Sequence, residues 1–371
     1  MPPRKSRSGT GGSRLLRLWW RLFAVAAIAW IGYTVWSSGA WRSTDSFAAG
    51  QCIAIDAPPG PEDIVMLPDG SGAIVSSQDR RDREARGGLF FYDLSAAPGR
   101  FLPLPVPPAL PFHPHGISLF RAEDGRLFLQ VINHRSADRH TVEIFILDGD
   151  AAGGFRLHHR GSVASSLFVH PNGIAAAGPE AFYLTNDRGS GPRWMHMVEN
   201  LLQLSRSTVV YHDGRGVREV ARDIAFANGI ALSADGGTLL VGSTLWRMIL
   251  TYTRDPASGA LYRSGSLTLP GGVDNIHRDN LGDFWLTVHP NAAATIGHAV
   301  NPEKTAPSMA LRISTTGGAL ARVAEAFGDP GTAISAASVA VQQNGRLLIG
   351  AGFSSRMMDC RIEDARLKPV E

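Results

Sequence analysis

Residues 227–243 read ANGIALSADGGTLLVGS. The polar pair Asn228-Gly229 opens a short apolar run, an Asp-Gly-Gly turn follows, and a second apolar run closes the stretch. Two apolar runs joined by such a turn are the signature of a β-hairpin. The pattern recurs as PEDIVMLPDGSGAIVSS from Pro61, PHGISLFRAEDGRLFLQV from Pro114 and PNGIAAAGPEAFYLT from Pro171. It returns as VDNIHRDNLGDFWLTV from Val273 and ASVAVQQNGRLLIGAG from Ala337, making six copies that begin about 50–60 residues apart. Further strand-like runs lie between the copies, among them GLFFYDL, TVEIFILDGD, STVVYHDG, RMILTYTRD and MALRISTTGG. Roughly four strands per unit at this spacing predict an all-β chain folded as a six-bladed β-propeller over about residues 50–365. A pair of β-sandwiches would not require six units in register.

The first strand of each propeller blade lines the central channel, so the polar residues that open the hairpins are expected to converge at one mouth. They are Glu62 and Asp63, His115, Asn172, Asn228, Asp274 and Asn275, and Ser338. Carboxylates and amides are hard oxygen ligands of the kind Ca²⁺ takes. Glu62, Asn172, Asn228, Asp274 and Asn275 supply five side-chain oxygens, and the two carboxylates offset the charge of the ion. The competing reading, that Asn-Gly and Asp-Asn only form turns, suffices for one copy and not for four equivalent ones. His113 and His115, with His134 and His140, also raise zinc. Pro114 interrupts the pair, however, and only His115 fills the repeat position, where it offers a base and not an oxygen. His158, His159, His170, His196 and His212 read as surface or packing histidines. No G-x-S-x-G, S-x-x-K or G-x-x-x-x-G-K-[ST] occurs, so neither an α/β-hydrolase serine nor a nucleotide-binding P-loop is supported.

Charge separates the N-terminus from the rest. Residues 1–42 carry seven basic residues (Arg4, Lys5, Arg7, Arg14, Arg17, Arg21 and Arg42) and no acidic one, which leaves 29 basic against 33 acidic elsewhere, a net of −4. The high pI therefore belongs to the arm, and a nucleic-acid face is not expected on the folded part. Leu22–Trp41 is a run of 20 uncharged residues, long enough to cross a bilayer, with tryptophans near both ends. Three parts follow: a basic cytoplasmic arm (1–21), a transmembrane signal-anchor helix (22–41) and a propeller domain (42–371). The basic flank places the propeller on the exoplasmic side, periplasmic in a bacterium. Ser38-Gly39-Ala40 offers the alternative of a cleaved signal and a secreted protein. The two cysteines, Cys52 and Cys360, stand 308 residues apart at the two ends of this domain, and an exported chain favours a disulfide between them. Residues 193–205 show the spacing of a short amphipathic helix in an inter-blade insertion. It is expected to pack on the propeller face, with a lid or a membrane contact as the sharper alternative.

PEDIVMLPDG, FHPHGIS, VINHRSADRHTVEIF, AAAGPEAFYLTND, FANGIALS, GVDNIHRD and RLLIGAGF resemble, in order, the paraoxonase/arylesterase family, and the resemblance covers essentially all of residues 50–362. Gluconolactonase-type and strictosidine synthase-like propellers share fewer of these motifs. The resemblance implies a calcium-dependent six-bladed propeller that hydrolyses aryl esters and lactones. It implies a catalytic Ca²⁺ on Glu62, Asn172, Asn228, Asp274 and Asn275, and a catalytic histidine pair, His115 and His134. It also implies a second, structural Ca²⁺ on Asp63 and the backbone carbonyl of Ile117. One departure stands out: the family has an acidic residue just after the position of Asn172, and this chain has Gly173, which takes a carboxylate from that second site. Two other functions remain open at this stage, a sugar-acid lactonase of the gluconolactonase type and a non-enzymatic membrane-anchored binding propeller.

Overall fold

The computed structural model describes residues 11–370 apart from 83, 97, 152, 317 and 318, and it describes no side chains for 11–14 and 193. Arg4, Lys5 and Arg7 of the basic arm lie outside the described residues.

The strands form six antiparallel sheets, each with a meander of four strands at its centre. The innermost strands are Pro61–Met66, Pro114–Arg121, Pro171–Ala176, Ala227–Leu232, Gly272–Arg278 and Val339–Gln343, numbered here as blades one to six. Each packs on the next, and the last packs on the first, so the sheets close into a ring around a channel. The six hairpins of the sequence are the two inner strands of the six blades. Between blades the apolar faces interleave: Phe91, Ile117 and Phe145 share one cluster, and Tyr183, Val209, Ile230 and Leu250 share another.

The ring is fastened where the chain begins and ends. Gly50–Asp56 joins blade six as its outermost strand, against Arg356–Ile362. Cys52 and Cys360 are register partners in that pairing and form the disulfide. Short end strands, Phe47–Ala48 and Lys368–Pro369, add to the outer strand of blade five.

Helix α1 covers Gly11–Ser37, and Leu15–Ser37 is apolar and long enough to cross a membrane. It starts and stops earlier than the uncharged run of the sequence. Gly39, at φ 67°, takes the left-handed conformation that ends the helix. A Cβ on Gly39 would lie 2.1 Å from the Pro290 carbonyl, so only glycine lets this turn sit against the propeller. Ser38 O accepts from Ala292 N at 2.8 Å, and Gln203 donates to the Ser37 hydroxyl at 2.6 Å. The end of α1 is therefore seated on the face where the inner strands begin.

Two further helices, α2 (Arg193–Leu202) and α3 (Ala292–Val300), stand on the same face, since each follows a second strand that ends opposite the start of a first one. The amphipathic spacing of α2 is confirmed, but the burial is inverted. Glu199 is the buried side, taking Gly189 N at 3.0 Å and Arg206 at 2.9 Å, while Trp194, Met197, Leu201 and Leu202 are exposed. The expected packing of its apolar side on the propeller does not occur, because a charged anchor holds the helix by its polar side.

Replacing Cys52 and Cys360 by serine should lower stability by about 2–5 kcal/mol, the usual cost of losing a native bridge, with the far-UV spectrum retained. Chemical unfolding of wild type and variant, each with and without reductant, measures this; only the wild type should respond to reductant.

Candidate metal and catalytic site

In five blades the innermost strand carries a β-bulge at the residues that open the hairpin. The register shifts between Pro61 and Asp63, Pro114 and Ile117, Pro171 and Ile174, Ala227 and Ile230, and Val273 and Ile276. Blade six has no shift. A bulge re-aims a side chain out of the alternating pattern. The glycines after His115, Asn172 and Asn228 serve this arrangement by close approach, not by forming turns. A Cβ on Gly116 would lie 2.4 Å from Asn172 O, one on Gly173 2.6 Å from Asn228 O, and one on Gly229 2.3 Å from Asp274 O. Each of these three bulges thus backs onto the candidate residue of the following blade.

Glu62, Asn172, Asn228, Asp274 and Asn275 are all buried, none more than 8% exposed. Asn275 donates to Glu62 Oε1 at 3.1 Å and to Glu62 O at 3.2 Å. Asn172 donates to Asp187 at 3.2 Å, and Asn228 donates to Thr244 at 3.2 Å. Asp274 Oδ2 accepts from His289 at 2.8 Å. After these contacts Asn172 Oδ1 and Asn228 Oδ1 remain buried with no donor, and Glu62 Oε2, also without a hydrogen bond, has the Arg80 guanidinium 3.7 Å away. An unpartnered buried acceptor costs about 1–3 kcal/mol. These three oxygens from three blades, beside the Asp274 carboxylate, suit a cation with oxygen ligands such as Ca²⁺. Burial pushes the Glu62 carboxyl up, but the His115 imidazole, Arg80 and the Asn275 amide outweigh it and hold the pKa at about 2. The carboxylate is charged at every ordinary pH.

His115 Nε2 lies 3.3 Å from Glu62 Oε1. Behind it, His115 Nδ1 meets His134 Nε2 at 2.8 Å, and His134 Nδ1 meets His140 Nδ1 at 2.8 Å. Burial, followed by the neighbouring positive charge of His115, pushes His134 well below its ordinary range. Burial and His170 bring His140 to about 4. Both rings are neutral near pH 7. His134 is clamped from its two sides by one carboxylate. Asn133 donates to Glu143 Oε1 at 3.0 Å, Arg135 at 2.8 Å and Thr141 at 2.6 Å, while Ser162 and His159 donate to Oε2 at 2.5 and 2.9 Å.

The structure brings Glu62, His115, Asn172, Asn228, Asp274 and Asn275 to the mouth of the channel, with His134 behind His115. His113 stands apart, its Nδ1 on His134 O at 2.9 Å. The histidines bond to one another and do not converge on a point. Asp63 and Ile117 face each other, but through the Ile117 N–H, 2.7 Å from Asp63 Oδ2. Sequence reasoning missed Arg80, Asp187 and His289, which lie outside the repeat position. It also took His170 for a surface or packing residue; its Nδ1 is 2.8 Å from Asp187, the carboxylate that holds Asn172. The conspicuous signal was HPNGI itself, with the histidine two residues before the candidate ligand.

A family model described as Arylesterase matches residues 59–362. Human serum paraoxonase/arylesterase 1 is 32% identical over 79% of this chain and 84% of its own length. Chicken serum paraoxonase/arylesterase 2 is 29% identical over 87% and 92%, and human serum paraoxonase/lactonase 3 is 29% identical over 79% and 84%. Among solved structures, a gluconolactonase from Xanthomonas campestris is similar at a TM-score of 0.52 with 17% identity, covering 87% of this chain and 95% of its own. A luciferin-regenerating enzyme matches at 0.52 with 13% identity, covering 86% and 98%. These two show the fold. The chain belongs to the arylesterase family.

Glu143 gives the clearest pH signature. Burial raises its pKa, but the bonds from Ser162, Thr141, Asn133 and Arg135 outweigh burial and lower it from 4.5 to about 2. Its contribution is present above pH 4.5 and is lost as pH falls toward 2. Glu143→Gln should cost roughly 3 kcal/mol at neutral pH and flatten the acid limb in that window. Denaturant unfolding as a function of pH measures both effects.

Proposed function

We propose that this protein is a calcium-dependent hydrolase of carboxylic esters, acting on aryl esters and lactones, with Glu62, Asn172, Asn228, Asp274 and Asn275 holding one Ca²⁺. The observation that carries this is the set of three buried oxygens from three blades without a hydrogen-bond donor, Glu62 Oε2, Asn172 Oδ1 and Asn228 Oδ1, with the one imidazole of the repeat position 3.3 Å from the other oxygen of Glu62. Family membership and the names of the relatives support ester and lactone substrates. Bound there, Ca²⁺ supplies Lewis acidity toward the ester carbonyl and positive charge for the developing oxyanion.

The residues of the chain do the rest. His115 is the general base. In this reading His115 carries its proton on Nδ1 and donates it to His134 Nε2, 2.8 Å away, which leaves the Nε2 lone pair facing the site. When Nε2 takes a proton from the attacking water, the Glu62 carboxylate 3.3 Å away stabilises the imidazolium. His134 is neutral, so it accepts from His115 without competing for the charge, and His140 fixes its other nitrogen. Asn275 and Asp187 hold Glu62 and Asn172 in place.

The propeller, residues 42–371, is the hydrolase unit, and α1 anchors it in the bilayer. Trp194, Met197, Leu201 and Leu202 of α2 and Ile296 and Val300 of α3 are exposed on the face where α1 is seated. That face lies toward the membrane, and the disulfide suits the exoplasmic side.

Hydrolysis of phenyl acetate and a δ-lactone should vanish in excess EGTA and return with Ca²⁺; full activity in chelator would contradict the reading. A panel with sugar lactones separates the gluconolactonase alternative. His115→Gln should cut kcat by about 10²–10⁴ while Ca²⁺ affinity by calorimetry stays unchanged. An unchanged kcat would remove His115 as the base.

A further inference from the structure

The resemblance implies a second metal ion on Asp63 and the Ile117 carbonyl, and the residues present do not fit one. Asp63 is 2% exposed, and both its oxygens already have donors. Oδ1 faces His277 Nε2 at 2.6 Å and accepts Ile64 N at 2.9 Å, while Oδ2 accepts Ile117 N at 2.7 Å. A cation at this point would have to displace the imidazole and would meet an N–H where it needs an oxygen. Blade three contributes no carboxylate either. Gly173 stands in that position, and its Cβ would lie 2.6 Å from Asn228 O, so the close approach of blades three and four leaves no room for a side chain.

We infer that His277 takes the place of the second metal ion: its bond to Asp63 ties the blades across the channel, the protein binds one Ca²⁺ per chain, and the propeller keeps its fold without metal. His277 lies two residues after Asn275, and the alternation of the strand about the buried Ile276 turns both side chains to the channel. The Asp63 carboxylate then joins three blades: its own, blade two through Ile117 N and blade five through His277. A structural cation in a channel does the same, linking oxygens from separate blades. Here backbone and side-chain donors do it with no ion to lose, so chelation removes the cation of the proposed mechanism and leaves the ring braced. His277 is outside the repeat position and takes no part in that mechanism. The inference shares the proposed function only in the one ion that remains.

Metal analysis and calcium calorimetry on the purified full chain should give one Ca²⁺ per chain, and EGTA should leave a cooperative melt and an unchanged far-UV spectrum. His277→Asp places two carboxylates face to face. It should raise the count to two Ca²⁺ per chain and lower Tm by several degrees in EGTA, with recovery on adding Ca²⁺. His277→Asn keeps a donor for Asp63 and should stay at one ion with a Tm near wild type; it serves if His277→Asp does not fold. Two ions in the wild type, unfolding in EGTA, or a His277→Asp variant with wild-type Tm and one ion would each overturn the brace. Chelator-resistant ester hydrolysis would instead sink the proposed function, and the Tm of the His277 variants would still decide the brace.

Discussion

Everything in the channel depends on how closely neighbouring inner strands approach. At Gly116, Gly173 and Gly229 the next strand comes so near that no Cβ fits. The strands can pack this closely only by bulging, and the bulge throws the preceding side chain into the mouth of the channel. His115, Asn172 and Asn228 point where they do because of the glycine that follows each of them. Blades one and five put Asp63 and Asn275 at that step in place of glycine, and both of these side chains are spent on bonds between blades. One packing constraint, repeated around the ring, shapes the fold and gathers the polar groups.

That repetition explains what could be read in the sequence. The blades were legible because each one restarts the same hairpin, and the five oxygen residues were legible because they recur at one point in it. What did not repeat was hidden. Arg80 and Asp187 come from segments after a second strand, and His289 from the end of one, where no periodic signal marks them. His277 sits on the same strand as Asn275, but only the fold shows that it reaches Asp63 in blade one. Helix α2 was visible in its spacing, yet periodicity says only which residues share a face. It cannot say that a buried carboxylate, Glu199, would anchor the opposite one. The stop of α1 was set by a glycine meeting Pro290, a contact with a residue some 250 positions away.

The polar interior also has a common electrostatic logic. Glu143 and Asp63 are tolerated in the interior because each has several donors: Glu143 is held by Asn133, Arg135, Thr141, His159 and Ser162, and Asp63 by two backbone N–H groups and His277. Glu62 Oε2 and the oxygens of Asn172 and Asn228, at the point where the bulges converge, are among the buried atoms without a hydrogen-bond donor. The row His115, His134 and His140 runs away from that point. The proposed cation site rests on this cluster of oxygens without hydrogen-bond donors, and the proposed base stands beside it.

The most direct test is a crystal structure grown with Ca²⁺, with anomalous data from a Tb³⁺-exchanged crystal. The expected result is one ion at the channel mouth, about 2.3–2.6 Å from oxygens of Glu62, Asn172, Asn228, Asp274 and Asn275. An empty mouth, or an ion bound on the histidine row in its place, would contradict the account.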